Sequence, residues 1–271
     1  MKQRSLILGA LAAAGAVVAL SGGRGRSRRS KPSDCPDVDS GETYEYRGVR
    51  FKESMKGGAD RRDAVPMVFA FHSMGANPSQ YSSSGSLSNI GPARVIAPFG
   101  KYTSADLGGS SKSNFHWFPS GIKSLVKNNT EEQAAAIFME TANWFRGFAS
   151  GIYQCRPTVG KPVFTGSSMG AEMSYLMNAT MPGFSGLTVA VNGFLPRGLW
   201  SANISPQLAL HGINDNTVPY EWDKEYNETI KKLGAPATFA SYEAGHGVSG
   251  KMAKHWTDAI RDYISRISGS A

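Results

Sequence analysis

The sequence predicts one α/β domain with a mostly parallel sheet that is flanked by helices. Short apolar runs recur along the chain without polar interruption, which is typical of strands buried on both faces. Segments with apolar residues at helical spacing lie between these runs. Two polar stretches rich in Ser and Gly, 78–88 and 102–113, follow strand ends, where α/β proteins place their sites.

The elements are predicted in chain order. Residues 44–46 and 49–51 flank Arg47-Gly48 and predict a short antiparallel hairpin. The buried strands expected next are 65–71, 94–97, 162–165, 187–191, 207–210 and 237–242. Thr130 with Gln133 resembles a capping box, and the helix that it begins carries apolar residues at helical spacing as far as Phe148. Further helices are expected at 171–180, 220–232 and 251–266.

The N-terminal segment carries most of the positive charge. Residues 1–34 contain seven basic residues and one acid, and so account for +6 of the net charge of +8. The remaining +2 does not indicate a nucleic-acid partner. Lys2 and Arg4, an apolar run from Leu6 to Leu20 and a small-residue site predict a signal peptide over 1–21. An uncleaved membrane anchor is the alternative.

The domain boundaries and the cysteines follow from that leader. Residues 22–34 predict a basic flexible linker, with an arm that binds a surface polymer as the alternative, and residues 35–271 form the domain. We expect secretion and no stable membrane partner after cleavage. An oxidising compartment permits a disulfide between Cys35 and Cys155. Neither cysteine has neighbours at metal-ligand spacing, so we predict no metal site.

A nucleophile motif lies between a predicted strand and a predicted helix. Gly166-Ser167-Ser168-Met169-Gly170 matches G-x-S-x-G, a weak signal alone that gains meaning from its strand–turn–helix setting. Ser168 is the predicted nucleophile, and the amide of Met169 at the helix N-terminus is a predicted oxyanion donor. An ordinary Gly/Ser loop is the alternative.

A serine nucleophile needs a base and an acid, which this strand pattern supplies later in the chain. His246, between Gly245 and Gly247, follows the last strand and is the predicted base. Asp215 follows the strand 207–210 and is the predicted acid, although it alternatively forms an Asx turn with Asn214. His211 is expected to orient the acid loop.

Three rival acids remain: Glu221 and Asp223, expected to be exposed on the next helix, and Glu243, which ends the wrong strand.

The second oxyanion donor is expected in the loop after the first buried strand. The amide of Met74 is the first choice and that of Ser73 the second, while His72 is expected to be structural. Further along, His116, Trp117 and Phe118 are candidates for lining an aromatic-accepting cleft, with local packing as the alternative.

Four segments together resemble the polyhydroxybutyrate depolymerase-like esterases of the α/β-hydrolase superfamily, a group that includes feruloyl and acetylxylan esterases. The segments are Phe71-His72-Ser73-Met74-Gly75-Ala76-Asn77, Gly166-Ser167-Ser168-Met169-Gly170, the stretch from His211-Gly212 through Asp215 to Val218-Pro219-Tyr220, and Gly245-His246-Gly247. The resemblance implies the α/β-hydrolase fold, a Ser168–His246–Asp215 triad, secretion and no cofactor. This chain has His72-Ser73 where the family commonly has His-Gly, which leaves the exact donor open.

The function predicted is hydrolysis, through an acyl-enzyme, of hydroxycinnamoyl or acetyl esters of polysaccharides or of hydroxyalkanoate esters. The expected partner is a small or polymeric ester, and the protein is expected to be a monomer. A serine peptidase or lipase on the same fold is one alternative. A non-catalytic binding module is another, and a surface-adhesion protein acting through the stretch 24–31 is a third.

Overall fold

A computed structural model describes residues 32–37, 43–81, 87–248 and 250–269 of the 271-residue chain. The predicted signal peptide and residues 22–31 of the predicted linker lie outside the described residues. The strands are β1 (Thr43–Tyr46), β2 (Val49–Lys56), β3 (Met67–Phe71), β4 (Ala93–Pro98), β5 (Tyr102–Thr103), β6 (Phe115–His116), β7 (Val163–Ser167), β8 (Leu187–Val191), β9 (Gln207–Gly212) and β10 (Ala237–Tyr242). The α-helices are α1 (Ile122–Asn128), α2 (Glu131–Cys155), α3 (Met169–Thr180), α4 (Tyr220–Lys232) and α5 (Gly250–Ser268).

Eight of these strands form one sheet in the order β1-β2-β4-β3-β7-β8-β9-β10. The pairs β1–β2 and β2–β4 are antiparallel, and every other pair in this sheet is parallel. The predicted mostly parallel α/β fold with an N-terminal antiparallel hairpin is therefore confirmed. Strands β3 and β7 are buried at every position; β3 is apolar throughout, as such burial predicts, whereas β7 begins with Val163 and Phe164 and also buries Thr165 and Ser167. Helix α1 was not predicted, because only two of its residues are buried.

Helix α2 covers one face of the sheet. The predicted capping box is present: the Gln133 amide donates to Thr130 Oγ1 over 3.3 Å, and the Thr130 amide donates to Gln133 Oε1 over 2.8 Å. The buried Phe145 ring lies 6.4 Å from Phe69 and 5.5 Å from Phe71, both on β3. Burial of each such ring stabilises the fold by about 1.5–3 kcal/mol. Neither α2 nor any other helix in the described part of the chain combines the length and apolarity needed to span a membrane.

The start of the domain is fastened to the end of α2. Cys35 and Cys155 form a disulfide with their Cα atoms 5.4 Å apart, across a separation of 120 residues. Next to it, Arg156 Nε donates to Glu53 Oε2 over 2.9 Å, and Arg94 of β4 pairs with the other oxygen of the same carboxylate. All three side chains are fully buried, so each charge depends on the others for compensation. This cluster joins the antiparallel edge of the sheet to α2.

The parallel strands all end at one edge of the sheet, and the predicted site residues follow those ends. This arrangement brings distant parts of the sequence together, because parallel strands direct their carboxyl ends to the same edge. The loop after β3 carries His72, Ser73 and Met74, the turn after β7 carries Ser168, the loop after β9 carries Asp215, and the loop after β10 carries His246.

Candidate active site

The turn between β7 and α3 holds Ser168 in a strained conformation. Its φ of 56° and ψ of −127° fall outside the regions that a non-glycine residue ordinarily adopts. The flanking glycines are required by crowding: a Cβ at Gly170 would lie 1.9 Å from the Phe71 carbonyl oxygen, and one at Gly166 would lie 2.5 Å from the same atom. This part of G-x-S-x-G is therefore set by the close approach of α3 to β3.

The structure brings the three predicted triad side chains into one hydrogen-bonded line. His246 Nε2 lies 2.8 Å from Ser168 Oγ, and His246 Nδ1 lies 2.7 Å from Asp215 Oδ2. Asp215 is fully buried at its carboxylate, whereas the His246 side chain is 28% exposed. The imidazole thus has one nitrogen fixed by a carboxylate and the other directed at the serine hydroxyl, as serine activation requires.

The loop around Asp215 keeps its carboxylate ionised. Burial alone raises the pKa of Asp215, but hydrogen bonds from His211 and His246 and from the amides of Thr217 and Val218 outweigh burial and lower the pKa to about 2. Oδ1 accepts both amide hydrogen bonds, over 2.7 and 3.0 Å, which leaves Oδ2 for the imidazoles. Asp215 therefore stays negatively charged well above pH 2 and can balance the positive charge that His246 gains when it accepts a proton.

The rival acids do not lie against His246. Glu221 and Glu243 are exposed. Asp223 was expected to be exposed on α4, and that expectation is wrong, because the side chain is fully buried beside His211. The helical periodicity of the sequence does not predict the burial of Asp223, because a charged residue is buried only when a distant partner compensates its charge.

His211 lies between two carboxylates behind the triad. Its Nδ1 is 2.7 Å from Asp223 Oδ2, and its Nε2 is 3.1 Å from the Val218 carbonyl and 3.3 Å from Asp215 Oδ2. A carbonyl only accepts, so Nε2 carries a proton, and Nδ1 faces a carboxylate that already accepts a hydrogen bond from Tyr175. Burial lowers the pKa of His211, but the two carboxylates outweigh burial and raise it to about 9. His211 is thus a buried cation that touches the predicted acid.

Asn192 joins the end of β9, just before the loop that carries Asp215, to the loop that carries His246, a role that the sequence analysis did not identify. Its Nδ2 donates to the His246 carbonyl over 2.8 Å, and its Oδ1 accepts from the Gly212 amide over 3.0 Å. The residue directly follows β8, is fully buried and has a φ of 54°. In the sequence, the signal for a residue that links these segments is an Asn directly after a buried strand that ends at this edge of the sheet.

The predicted oxyanion donors separate into two groups. The Ser73 amide donates to Gln80 Oε1 over 2.9 Å. Because this amide already has an acceptor, the prediction of Ser73 as an oxyanion donor is wrong. The amides of Met74 and Met169 hydrogen-bond to nothing among the described residues, and Met169 is the first residue of α3, where amides lack intrahelical partners. His72 is fully buried and structural as expected: its Nε2 accepts from the Gly100 amide over 3.0 Å.

Two cavities meet at Ser168. One, of about 340 Å³, is bounded by Met169, Glu172 and several side chains of α1 and the acid loop. The other, of about 480 Å³, is bounded by His246, together with Gln80 and Trp256. The serine hydroxyl therefore has an open space on each side, one beside the helix N-terminus and one beside the imidazole.

The aromatic residues predicted to line a cleft lie elsewhere. Trp117 and Phe118 are fully buried, so the prediction that they bind substrate is wrong and local packing is correct. Trp117 stacks on His72 with ring centroids 4.8 Å apart, and Phe118 stacks on Phe138 at 3.9 Å. His116 belongs to the small β5–β6 hairpin, where its Nε2 lies 2.8 Å from Ser104 Oγ, and it bounds neither cavity.

Comparison with known proteins identifies the same fold. A family model described as phospholipase/carboxylesterase matches residues 58–264. None of the curated proteins matches the sequence.

Three solved structures are similar to this chain. Esterase PE8 is 18% identical with a TM-score of 0.61, covering 77% of this chain and 98% of that one. Acyl-protein thioesterase 2 of Zea mays is 21% identical with a TM-score of 0.54, covering 80% and 98%. A phospholipase/carboxylesterase of Dyadobacter fermentans is 18% identical with a TM-score of 0.55, covering 78% and 95%. At these identities the likeness establishes the α/β-hydrolase fold, and the narrower resemblance to depolymerase-like and feruloyl esterases stays a prediction.

Proposed function

The chain belongs to the phospholipase/carboxylesterase family, and from that premise we propose that it is a serine carboxylic-ester hydrolase that works through an acyl-enzyme. The observation that supports this most directly is the line of hydrogen bonds from Asp215 through His246 to Ser168, with donor–acceptor distances of 2.7 and 2.8 Å. Such a line lets a histidine accept the serine proton while a carboxylate stabilises the imidazolium that forms.

The first half of the reaction forms the acyl-enzyme. Ser168 Oγ attacks the ester carbonyl carbon as its proton passes to His246 Nε2. The negative oxygen of the tetrahedral intermediate accepts hydrogen bonds from the amides of Met169 and Met74. His246 then returns the proton to the alcohol oxygen as the carbon–oxygen bond breaks and the alcohol leaves.

The second half repeats these steps with water. His246 takes a proton from a water molecule, whose oxygen attacks the acyl carbon. The second tetrahedral intermediate collapses as His246 protonates Ser168 Oγ, and the carboxylic acid is released. Asp215 holds the imidazole in one orientation throughout and keeps its own charge, as its low pKa of about 2 requires.

Each of the two cavities holds a different part of the substrate. Because His246 must protonate the leaving alcohol, the alcohol part occupies the cavity of about 480 Å³ that His246 bounds. The acyl part then occupies the cavity of about 340 Å³ on the Met169 side. We infer the acyl classes from the motif resemblance: hydroxycinnamoyl or acetyl groups on polysaccharides, or hydroxyalkanoates.

We also propose that the protein is secreted. The predicted leader supports this, and so does the Cys35–Cys155 disulfide, because such bonds persist in oxidising compartments.

The test is hydrolysis of a matched panel by the purified protein: p-nitrophenyl acetate and butyrate, methyl ferulate and a 3-hydroxybutyrate oligomer. Ser168→Ala is expected to lower kcat by about 10⁴-fold or more without loss of folding. Ser265→Ala, which changes an exposed serine of α5, serves as the matched control with unchanged turnover. Equal turnover by Ser168→Ala and the parent protein would refute the assignment. If the folded protein cleaves no ester, a peptidase or a binding module becomes the better interpretation.

A further inference from the structure

Glu172 lies one helical turn after the nucleophile and faces the same cavity. It lies in the first turn of α3, four residues after Ser168, and both residues bound the same cavity. The cavity of about 340 Å³ is bounded by both residues, and most of its remaining wall is apolar, including Ile122, Met169 and Val218. A carboxyl group is therefore built into the wall of the space beside Ser168.

This carboxyl group is buried without a partner. Glu172 is 2% exposed, and its Oε2 is a buried atom with no hydrogen bond among the described residues. A buried polar group without a partner costs about 1–3 kcal/mol, so such groups are rare and require an explanation.

Every other buried acid in the described chain is paired. Glu53 pairs with Arg94 and Arg156, and Asp215 and Asp223 both contact His211. Glu172 is the exception, and it is the one that faces the cavity of about 340 Å³.

The surroundings of Glu172 favour its neutral form. Burial raises the pKa of its carboxyl to about 8, so at pH 7 the group is mainly a carboxylic acid that can both donate and accept a hydrogen bond. The charged group that shares the cavity wall is Lys123 of α1, whose ammonium group repels a cationic ligand. The wall is mainly apolar, and among its polar residues, which include Ser124, Asn216 and Thr217, Glu172 is the one with a buried side-chain atom that lacks a hydrogen bond among the described residues.

We propose that Glu172 determines acyl specificity by hydrogen bonding to a hydroxyl group on an otherwise apolar acyl chain. This inference rests on the proposed esterase function, since it assigns the acyl group to this cavity. An acyl chain without the hydroxyl leaves Glu172 buried and unpaired in the complex, whereas a hydroxylated chain satisfies it. Sites that are built to bond a hydroxyl discriminate strongly against analogues that lack it.

The substitutions that test this are Glu172→Gln, which keeps a hydrogen-bonding group of similar shape, and Glu172→Met, which replaces it with an apolar chain of similar length. Since Glu172 hydrogen-bonds to no described residue, Glu172→Met is expected to unfold at the same urea concentration as the parent protein or higher. A purely structural role predicts the opposite change. Glu172→Leu serves in the same arm if Glu172→Met does not fold.

The assay compares kcat/KM for p-nitrophenyl 3-hydroxybutyrate and p-nitrophenyl butyrate. The parent protein and Glu172→Gln are expected to prefer the hydroxylated ester by about tenfold or more. Glu172→Met is expected to bring the ratio of the two kcat/KM values to about one. No preference in the parent protein, or an unchanged preference in Glu172→Met, would overturn the proposal.

A binding measurement separates this inference from the esterase assignment. Ser168→Ala, alone and combined with Glu172→Met, is titrated with methyl 3-hydroxybutyrate and methyl butyrate by ligand-observed NMR. Tighter binding of the hydroxylated ester that disappears with Glu172→Met supports the role of Glu172 even if no ester is cleaved. Equal binding of the two esters overturns it.

Discussion

Replacement of His211 with Gln tests whether a buried cation supports the acid of the triad. His211 contacts both Asp215 and Asp223, at 3.3 and 2.7 Å, and all three side chains are fully buried. Glutamine keeps a donor but carries no charge, so the substitution leaves two buried carboxylates without a cation between them. Breaking one partner out of a buried ion pair typically costs about 3–5 kcal/mol of the free energy of unfolding.

The pH dependence of that cost follows from the pKa of His211. A pKa of about 9 in the folded protein lies above the ordinary value of 6.5, so the folded state binds this proton more tightly than the unfolded state does. The stabilisation is fully present below pH 6.5 and is lost as the pH rises through 9. At about 1.4 kcal/mol for each pH unit of difference, the loss amounts to about 3 kcal/mol.

Urea denaturation of the parent protein and His211→Gln at pH 6.0 and pH 9.5 measures this effect. The difference in unfolding free energy between the two proteins is expected to be about 3 kcal/mol smaller at pH 9.5. Titrating groups that do not contact His211, Glu172 among them, are present in both proteins and cancel in the difference. His255→Gln, which changes an exposed histidine, is the control and is expected to alter stability little at either pH. A His211→Gln difference that is the same at both pH values would refute a charged His211.

Two further predictions concern the loops and the disulfide. Asn192→Gly removes the hydrogen bonds to the His246 carbonyl and the Gly212 amide while tolerating the φ of 54°, so kcat/KM on p-nitrophenyl butyrate is expected to fall about tenfold or more; unchanged kcat/KM would show that these loops hold their positions without it. Paired replacement of Cys35 and Cys155 with Ala is expected to lower the unfolding free energy by about 2–5 kcal/mol, measured by urea denaturation. An unchanged urea midpoint would contradict the contribution of this cross-link.

The features that sequence patterns predicted are those encoded locally or by chain order. The turn at Ser168 is one, because the crowding that excludes a Cβ at Gly166 and Gly170 leaves a signature within five residues. Asp215 and His246 are others, because each follows a strand that reaches the same edge of a parallel sheet. Buried strands were recognisable for a similar reason, since each carries its own apolar pattern.

The features that the sequence did not reveal depend on partners that lie far away in the chain. Trp117 is equally consistent with a ligand cleft and with packing until its stacking on His72, 45 residues earlier, is known. Asp223 faces inward only because His211 compensates its charge. Glu172 was overlooked because its distinguishing property is the lack of any partner, and a missing partner leaves no pattern in the sequence.

The site shifts the pKa values of two carboxyl groups, Asp215 and Glu172, in opposite directions. Four hydrogen bonds hold the pKa of Asp215 at about 2, whereas burial without a hydrogen bond raises that of Glu172 to about 8. The proposed chemistry needs both states: a protonated His246 requires a negative partner, while a negative charge at Glu172 would oppose the oxyanion that forms near the start of α3. The absence of a partner at Glu172 thus keeps a polar group available to the substrate without placing a charge against the transition state.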